Sequence, residues 1–222
     1  MLKTMLILLM SLMTMMVQAR KPLTEADSAA LSENIYHQEV TYYPHQGTLS
    51  IKTNVVSYAL LIANIGLEVG MGGNLSFHLP VYYGALDYFR SDLKFRAFIV
   101  QPELRYWYPR AKGLFCGVHA GMAFYNICYD LRWRYQDADR HSPAWGGGIS
   151  VGYRSPIRRR NPQWFWEASI GIGIYDVRYD EFHMKSQGRM TAHNKHTTYY
   201  GPDMVNFTLG YTFDWCKLKK MK

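Results

Sequence analysis

From Thr48 to Trp215 the chain alternates with period two in eight segments, each bounded by turn-like stretches and each predicting a β-strand. One face of the first carries Leu49, Ile51, Thr53 and Val55; the second carries Ala63, Ile65, Leu67, Val69 and Met71. The third presents Leu75, Phe77, Leu79, Val81 and Tyr83, and the fourth Phe98, Val100, Pro102, Leu104, Tyr106 and Tyr108. The fifth gives Leu114, Cys116, Val118, Ala120, Met122 and Phe124; the sixth gives Trp145, Gly147, Ile149, Val151 and Tyr153. The seventh has Trp164, Trp166, Ala168, Ile170, Ile172 and Ile174, and the eighth Val205, Phe207, Leu209, Tyr211, Phe213 and Trp215. None of these 43 positions is charged.

The opposite face is small and polar, with many glycines. It holds Asn54, His78, Gln101 and His119, three cations (Lys52, Arg105, Arg154) and four acids (Glu68, Glu103, Glu167, Asp214). A secreted β-sandwich would turn its apolar face inward and rarely show an outward face so rich in glycine and so near neutrality. The narrow interior of an eight-stranded barrel suits such a face. Charges there must pair, because an unpaired buried charge costs several kcal/mol in order of magnitude. The pattern therefore predicts an all-β chain: an eight-stranded, antiparallel, up-and-down transmembrane β-barrel with a short N-terminal periplasmic segment.

The connections agree. Gly72–Asn74, Pro109–Gly113 and Ser155–Gln163 are short and are expected on the periplasmic side. The connections from about Gly84 to Lys94, Ile127 to Pro143 and Val177 to Asp203 are longer and are expected outside; the first, near Leu60 and Leu61, is short. The aromatics sort by height. Tyr106, Tyr108, Tyr153, Trp164, Trp166 and Trp215 fall at one set of strand ends, and Tyr83, Phe98, Phe124 and Trp145 at the other, as two interfacial girdles require. Pro102 removes a ladder donor, which makes a local bulge the expectation there.

Ahead of the strands, Lys3 precedes an apolar stretch of 13 residues, Met5 to Val17, and Val17-Gln18-Ala19 offers small residues for cleavage. This reads as a secretory signal peptide over residues 1–19; as a membrane anchor the stretch is short. Residues 20–47, with an amphipathic helical pattern around Ala26 to Ile35, are expected as a periplasmic tail or partial plug. The barrel is assigned to 48–216 and a basic tail to 217–222.

Composition adds the rest. Charged residues are 19% of 222, below the roughly 25% of an average domain. The 18 Tyr, 10 Phe and 6 Trp exclude disorder. The net charge of +8 falls to +7 once Lys3 is removed, at 24 basic against 17 acidic residues. The surplus is local: Arg110, Lys112, Arg158, Arg159 and Arg160 in the expected periplasmic turns, and Lys217, Lys219, Lys220 and Lys222 in the tail. Phospholipid headgroups of the inner leaflet are the simplest partner for that rim, and nucleic acid is excluded for an exported chain.

Several stretches carry a family resemblance: Ile51-Lys52-Thr53-Asn54, Asn64 to Gly70, Leu79-Pro80-Val81-Tyr82, Gln101 to Trp107, Trp166 to Gly173 and Tyr200-Gly201-Pro202. In these the chain resembles an uncharacterised, domain-of-unknown-function family of small Bacteroidales-type outer-membrane β-barrels, OmpA/OmpX-like. The resemblance spans roughly Thr48 to Trp215 and leaves Arg20–Gly47 outside. It implies a barrel without an assigned activity. A cysteine pair in the last outer loop also belongs to that likeness, and this chain has none there. The last strand, Thr208 to Trp215, resembles the signal read by the outer-membrane assembly machinery.

Candidate chemistry is sparse. Glu68, Glu103, Arg105, Arg154 and Glu167 project from different strands and are expected to form a structural salt-bridge network in the lumen rather than a gate. His141, His183, His193 and His196 are expected as solvated loop histidines, since a metal site needs three or four converging ligands. Asp180, Glu181, His183 and His193 could imitate a rim active site, but no nucleophile motif accompanies them, and no catalytic, metal or cofactor site is assigned. Cys116, Cys128 and Cys216 have no evident partner. The expected role is non-enzymatic: a monomeric outer-membrane barrel, structural or meeting a surface protein or glycan through its outer loops. The rivals are a narrow ion or solute pore, a rim hydrolase or lipid-modifying enzyme, and a secreted soluble β-protein.

Overall fold

The computed structural model describes residues 44–87, 94–128, 133–139, 142–158, 161–183 and 189–214. The signal stretch, the helical pattern at 26–35, His141, Trp215, Cys216 and the 217–222 tail lie outside the described residues. The described residues are all-β apart from one short helix: β1 (Thr48–Asn54), α1 (Val55–Ala59), β2 (Ala63–Gly72), β3 (Leu75–Asp87), β4 (Lys94–Val100), β5 (Glu103–Trp107), β6 (Leu114–Cys128), β7 (Trp133–Asp137), β8 (Ala144–Arg158), β9 (Asn161–His183) and β10 (Arg189–Asp214). Every pairing is antiparallel. β4 and β5 share one place in the sheet between β3 and β6, and β7 and β8 share another between β6 and β9. Ten segments thus fill eight places, and β10 pairs with β1 to close the ring, from Thr48↔Asp214 to Asn54↔Thr208. Closure leaves the paired region without an edge.

The alternation turns the way the pattern predicts. No described member of the uncharged face is buried. Ile65, Val118, Ile149, Ile170 and Val205 are all more than half exposed, while Ser50, Lys52, Glu68, Glu103 and Arg105 on the other face are at most 1% exposed. Polar inside and apolar outside is the reverse of a water-soluble sheet.

Turns follow local chemistry. Gly72 and Gly73 at φ +84° and +60°, with Asn74 at +63°, reverse the chain between β2 and β3. Asn54 ends β1 and starts α1: its side chain accepts from the Val56 amide (3.1 Å) and the Phe207 amide (3.2 Å). Val55, read as the end of the first strand, is therefore helical.

Other expectations change. Pro102 interrupts the ladder without a bulge: Val100↔Met122 and Glu103↔His119 lie on one unbroken register. The Gln101 amide donates to Pro80 O (3.2 Å) and Pro102 O accepts from the Ala120 amide (3.0 Å), which holds the strand in step. The expected turn at Ser155–Gln163 is mostly strand, since β8 runs to Arg158 and β9 starts at Asn161. The expected outer loop from Val177 to Asp203 is largely a paired hairpin of β9 and β10, and that from Ile127 to Pro143 contains β7.

Glycine makes room inside the ring. A Cβ on Gly117 would stand 2.5 Å from Glu103 Oε1 and 2.7 Å from Ser150 Oγ. Gly117→Val is expected to lower the urea midpoint of unfolding, followed by tryptophan emission, by the equivalent of about 1–3 kcal/mol, the usual cost of overpacking. Ile149→Val, on the exposed face, should change it little.

Candidate functional site

The lower half of the interior is an ionic layer built from five strands. Lys52 (β1), Glu68 (β2), Glu103 and Arg105 (β5), Arg154 (β8) and Glu167 (β9) converge there, three cations on three carboxylates. Lys52 Nζ lies 3.0 Å from Glu68 and 3.3 Å from Glu167. Arg105 binds Glu103 through Nε (2.7 Å) and Nη2 (2.6 Å), and Glu167 through Nη1 (2.8 Å). Arg154 donates from Nε (3.0 Å) and Nη2 (2.7 Å) to Glu167 Oε2, and Nη2 also pairs with Glu68. The hydroxyl of Ser76 donates to Glu68 (2.6 Å), that of Ser150 to Glu103, and the His78 ring meets Glu103 at 3.2 Å.

The five residues singled out from sequence are thus all brought together. Two members were left among the background polar residues: Lys52, without which the layer would carry a net negative charge, and His78. The fourth acid of the sequence reading, Asp214, has a side chain outside the described residues. The reading of this face as small and polar also missed three aromatics. Trp107 and Phe115 are fully buried and Phe165 is 2% exposed. Arg105 stacks over Phe115 (4.3 Å to the centroid), and Arg154 over Phe165 (4.0 Å) and Trp107 (4.6 Å). Trp107 Nε1 donates to Ser76 Oγ (2.8 Å), which ties this floor to the ion pairs.

Above the layer the interior is polar but not ionic. Asn54 Nδ2 donates to Asn206 Oδ1 (2.7 Å), which Tyr82 also reaches (3.3 Å); Gln101 donates to the Tyr175 hydroxyl (3.3 Å). These side chains line a cavity of about 260 Å³. His119 Nε2 lies 2.6 Å from Asp203 Oδ2, a residue the sequence reading had left at a loop end.

At the upper rim His193 and His196 are exposed yet paired, and His183 is half-buried, so they are not merely solvated. His193 contacts Asp180 (3.0 Å) and Asp139 (3.7 Å), His196 bonds Asp176, and His183 packs edge-on to Trp133. Asp180 is buried beneath and accepts from the backbone amides of Asn194 (2.8 Å) and Asp139 (3.2 Å). Both donors have positive φ, +50° and +53°, so the backbone curls onto the carboxylate. Burial pushes the Asp180 carboxyl up, but the two amides and His193 outweigh it and hold it below the usual carboxylate range.

On the outer face Tyr106 and Tyr108, Tyr153 and Trp166, and Trp164 and Tyr211 touch ring to ring near the lower end, while Tyr83 and Trp145 stand exposed near the upper end. Cys116 and Cys128 are free thiols; the Tyr108 hydroxyl reaches Cys116 Sγ at 3.5 Å.

Two outcomes follow. Glu167→Leu takes one carboxylate from three cations and leaves the buried layer one positive charge in excess, which should lower the unfolding free energy by about 3–5 kcal/mol; the double variant Glu103→Leu/Arg105→Met removes one charge of each sign and should cost less than its two singles added together. Denaturant unfolding of all four proteins checks both. Because the folded carboxyl of Asp180 is depressed, its stabilisation is complete above the unfolded carboxylate range and is lost as pH falls through the folded value. Exchange at the Asn194 amide should therefore lose protection in that acid window, and Asp180→Asn should remove the transition.

The comparison with curated proteins returns no match. A family described as "Protein of unknown function (DUF3575)" matches residues 27–213. The match takes in much of the 20–47 segment, which the resemblance read from sequence had left out. It covers the whole described ring but for its last residue, and the chain therefore belongs to the DUF3575 family.

Proposed function

We propose that the chain is exported, loses residues 1–19, and folds through 48–216 into a monomeric eight-stranded β-barrel of the outer membrane. Its role is non-enzymatic: a structural wall element that meets a surface protein or glycan above the membrane. One observation carries this reading: an uncharged outer face with no buried member among the described residues surrounds an interior in which three cations and three carboxylates cancel.

The dimensions fit. Trp164 and Ile174 are ten residues apart on β9. At roughly 3.3 Å per residue and a tilt of about 40° that is about 25 Å, the height of the apolar band of such barrels. The aromatic rows sit at its two limits, where rings with one polar edge gain most. Arg110, Lys112 and Arg158 are exposed at the lower end, beside the headgroups of the inner leaflet. The side chains of the layer are at most 5% exposed and bonded across the ring, which supports a closed interior over a pore.

Above the upper row, β7, β9 and β10 continue as a three-stranded sheet. It carries Tyr135, Arg178, His193, Lys195 and His196 with exposed side chains, a composition suited to contact. The Asp180–His193 pair has no hydroxyl or thiol nucleophile bonded to it among the described residues, so the enzyme reading gains nothing from it.

Purified in detergent, the unboiled protein should migrate differently from the boiled one on a detergent gel. In planar bilayers it should show no steady conductance. Monodisperse behaviour in water without detergent would overturn the membrane reading. Open channels that change when Glu103 is neutralised would replace the closed barrel with the pore.

A further inference from the structure

The cavity above the ionic layer reaches into the wall of the ring. β1 ends at Asn54, opposite Thr208, while β10 extends back to Arg189. Beyond Thr208, no strand among the described residues pairs with that edge of β10. α1 packs against β10 there, where a strand would otherwise continue the wall. The cavity, of about 260 Å³, lies behind this patch: the inward residues Tyr82, Gln101 and Tyr175 line it together with Ser57 of α1, Ile62 and Val205. Val205 belongs to the outer face and is 58% exposed. A space lined by members of both faces has its mouth in the wall.

The height of that mouth follows from the register. Val205 is paired with Ile170, which lies between Trp164 and Ile174. Ile62 directly precedes Ala63, which is paired with Tyr83 of the upper aromatic row. On the membrane reading, on which this inference rests, the mouth lies in the outer leaflet just beneath its interface. That is where the head and the chain of an amphiphile join.

The lining selects the head. Among the described residues no Lys, Arg or His lines the cavity, and its one acid, Asp203, is held by His119 at 2.6 Å. A charged head would find no free counter-charge. Asn54 and Asn206 bond each other (2.7 Å), and Tyr82 donates to Asn206 (3.3 Å). Two groups are left over. Gln101 spends Nε2 on the Tyr175 hydroxyl (3.3 Å), but neither its carbonyl oxygen nor Ser57 Oγ has a hydrogen-bond partner among the described residues. Both residues are more than nine-tenths buried, at 5% and 7% exposed, yet neither atom is sealed off. Gln101 thus offers an acceptor, and Ser57 an acceptor and a donor, beside two phenol rings. A hydroxylated ring matches that set, since its O–H groups bond while its C–H face packs on an aromatic. The volume is below the roughly 300–1,000 Å³ of drug-sized sites, which suits one ring and not a string of them.

We propose that this cavity takes the uncharged, hydroxylated ring of a single-chain glycolipid from the outer leaflet. Gln101 and Ser57 bond its hydroxyls, and its alkyl chain leaves past Val205 into the lipid.

The test reconstitutes the folded chain in phospholipid nanodiscs and titrates it with octyl glucoside below the micelle concentration. The side-chain amide signals of ¹⁵N-labelled Gln101 and Asn206 are followed. Glucose, which lacks the chain, and octyl sulfate, which exchanges the ring for a charge, are the comparators. The expected result is a saturable shift with octyl glucoside, at least tenfold weaker with glucose and absent with octyl sulfate. Val205→Trp, on the outer face, should obstruct the mouth and weaken binding at least tenfold; Ser57→Ala should weaken it several-fold. Both are read on the Gln101 signal, and gel migration shows that each variant is folded. Equal shifts with glucose or octyl sulfate, unchanged binding in Val205→Trp, or no saturable change in an inserted chain would overturn this proposal and leave the membrane reading standing. A chain that does not insert would overturn both.

Discussion

Three carboxylates and three cations share one buried volume, and the rest of the ring is shaped to keep them there. None of the six can be relocated alone, because each holds charge that another must cancel. Their size forces small neighbours: Gly66, Gly117 and Gly210 stand where a side chain would collide with His78, Glu103 or Lys52. Their charge needs faces as well as partners, so Trp107, Phe115 and Phe165 lie against the two guanidinium groups. The outer face is free of this constraint, and its described members between the two aromatic rows are uncharged, as the proposed contact with hydrocarbon requires.

The eight strand places were legible because two environments alternate along every one of them. The five charges chosen from sequence do meet. Their partners were not legible, because pairing across a ring depends on register: nothing local tells Lys52 that Glu68 and Glu167 lie within 3.3 Å. The buried aromatics were hidden for another reason. Each sits in a locally apolar run, Tyr106-Trp107-Tyr108, Leu114-Phe115-Cys116 and Trp164-Phe165-Trp166, where both faces look alike. Above Tyr175 the alternation fades, since β10 from His193 to Tyr200 is exposed on both faces and most of β9 opposite it is half-buried, and the hairpin is held by ladder pairing and not by pattern. Pro102 misled in the opposite direction: a missing donor suggested a shift, yet flanking hydrogen bonds keep the register.

The interior divides its tasks by height. The lower layer is self-sufficient in charge and leaves nothing for a ligand to do. The upper cavity is lined by amides and phenol rings, with Asp203 held by His119 at 2.6 Å. The outermost sheet carries its polar groups in pairs, Asp180 with His193, Asp176 with His196 and Glu181 with Lys195. Rigidity below and contact chemistry above are what the proposed wall protein needs.

The central claim is that the uncharged face meets lipid. Tryptophan quenching decides it most directly, using the protein reconstituted in vesicles of bromine-labelled phospholipid. Trp145, Trp164 and Trp166 should be quenched by bromine on the acyl chains and spared by aqueous iodide, while Trp107, sealed in the interior, should be spared by iodide and only weakly reached by bromine. Iodide quenching of Trp145 and Trp164 with no effect of the labelled lipid would contradict the account.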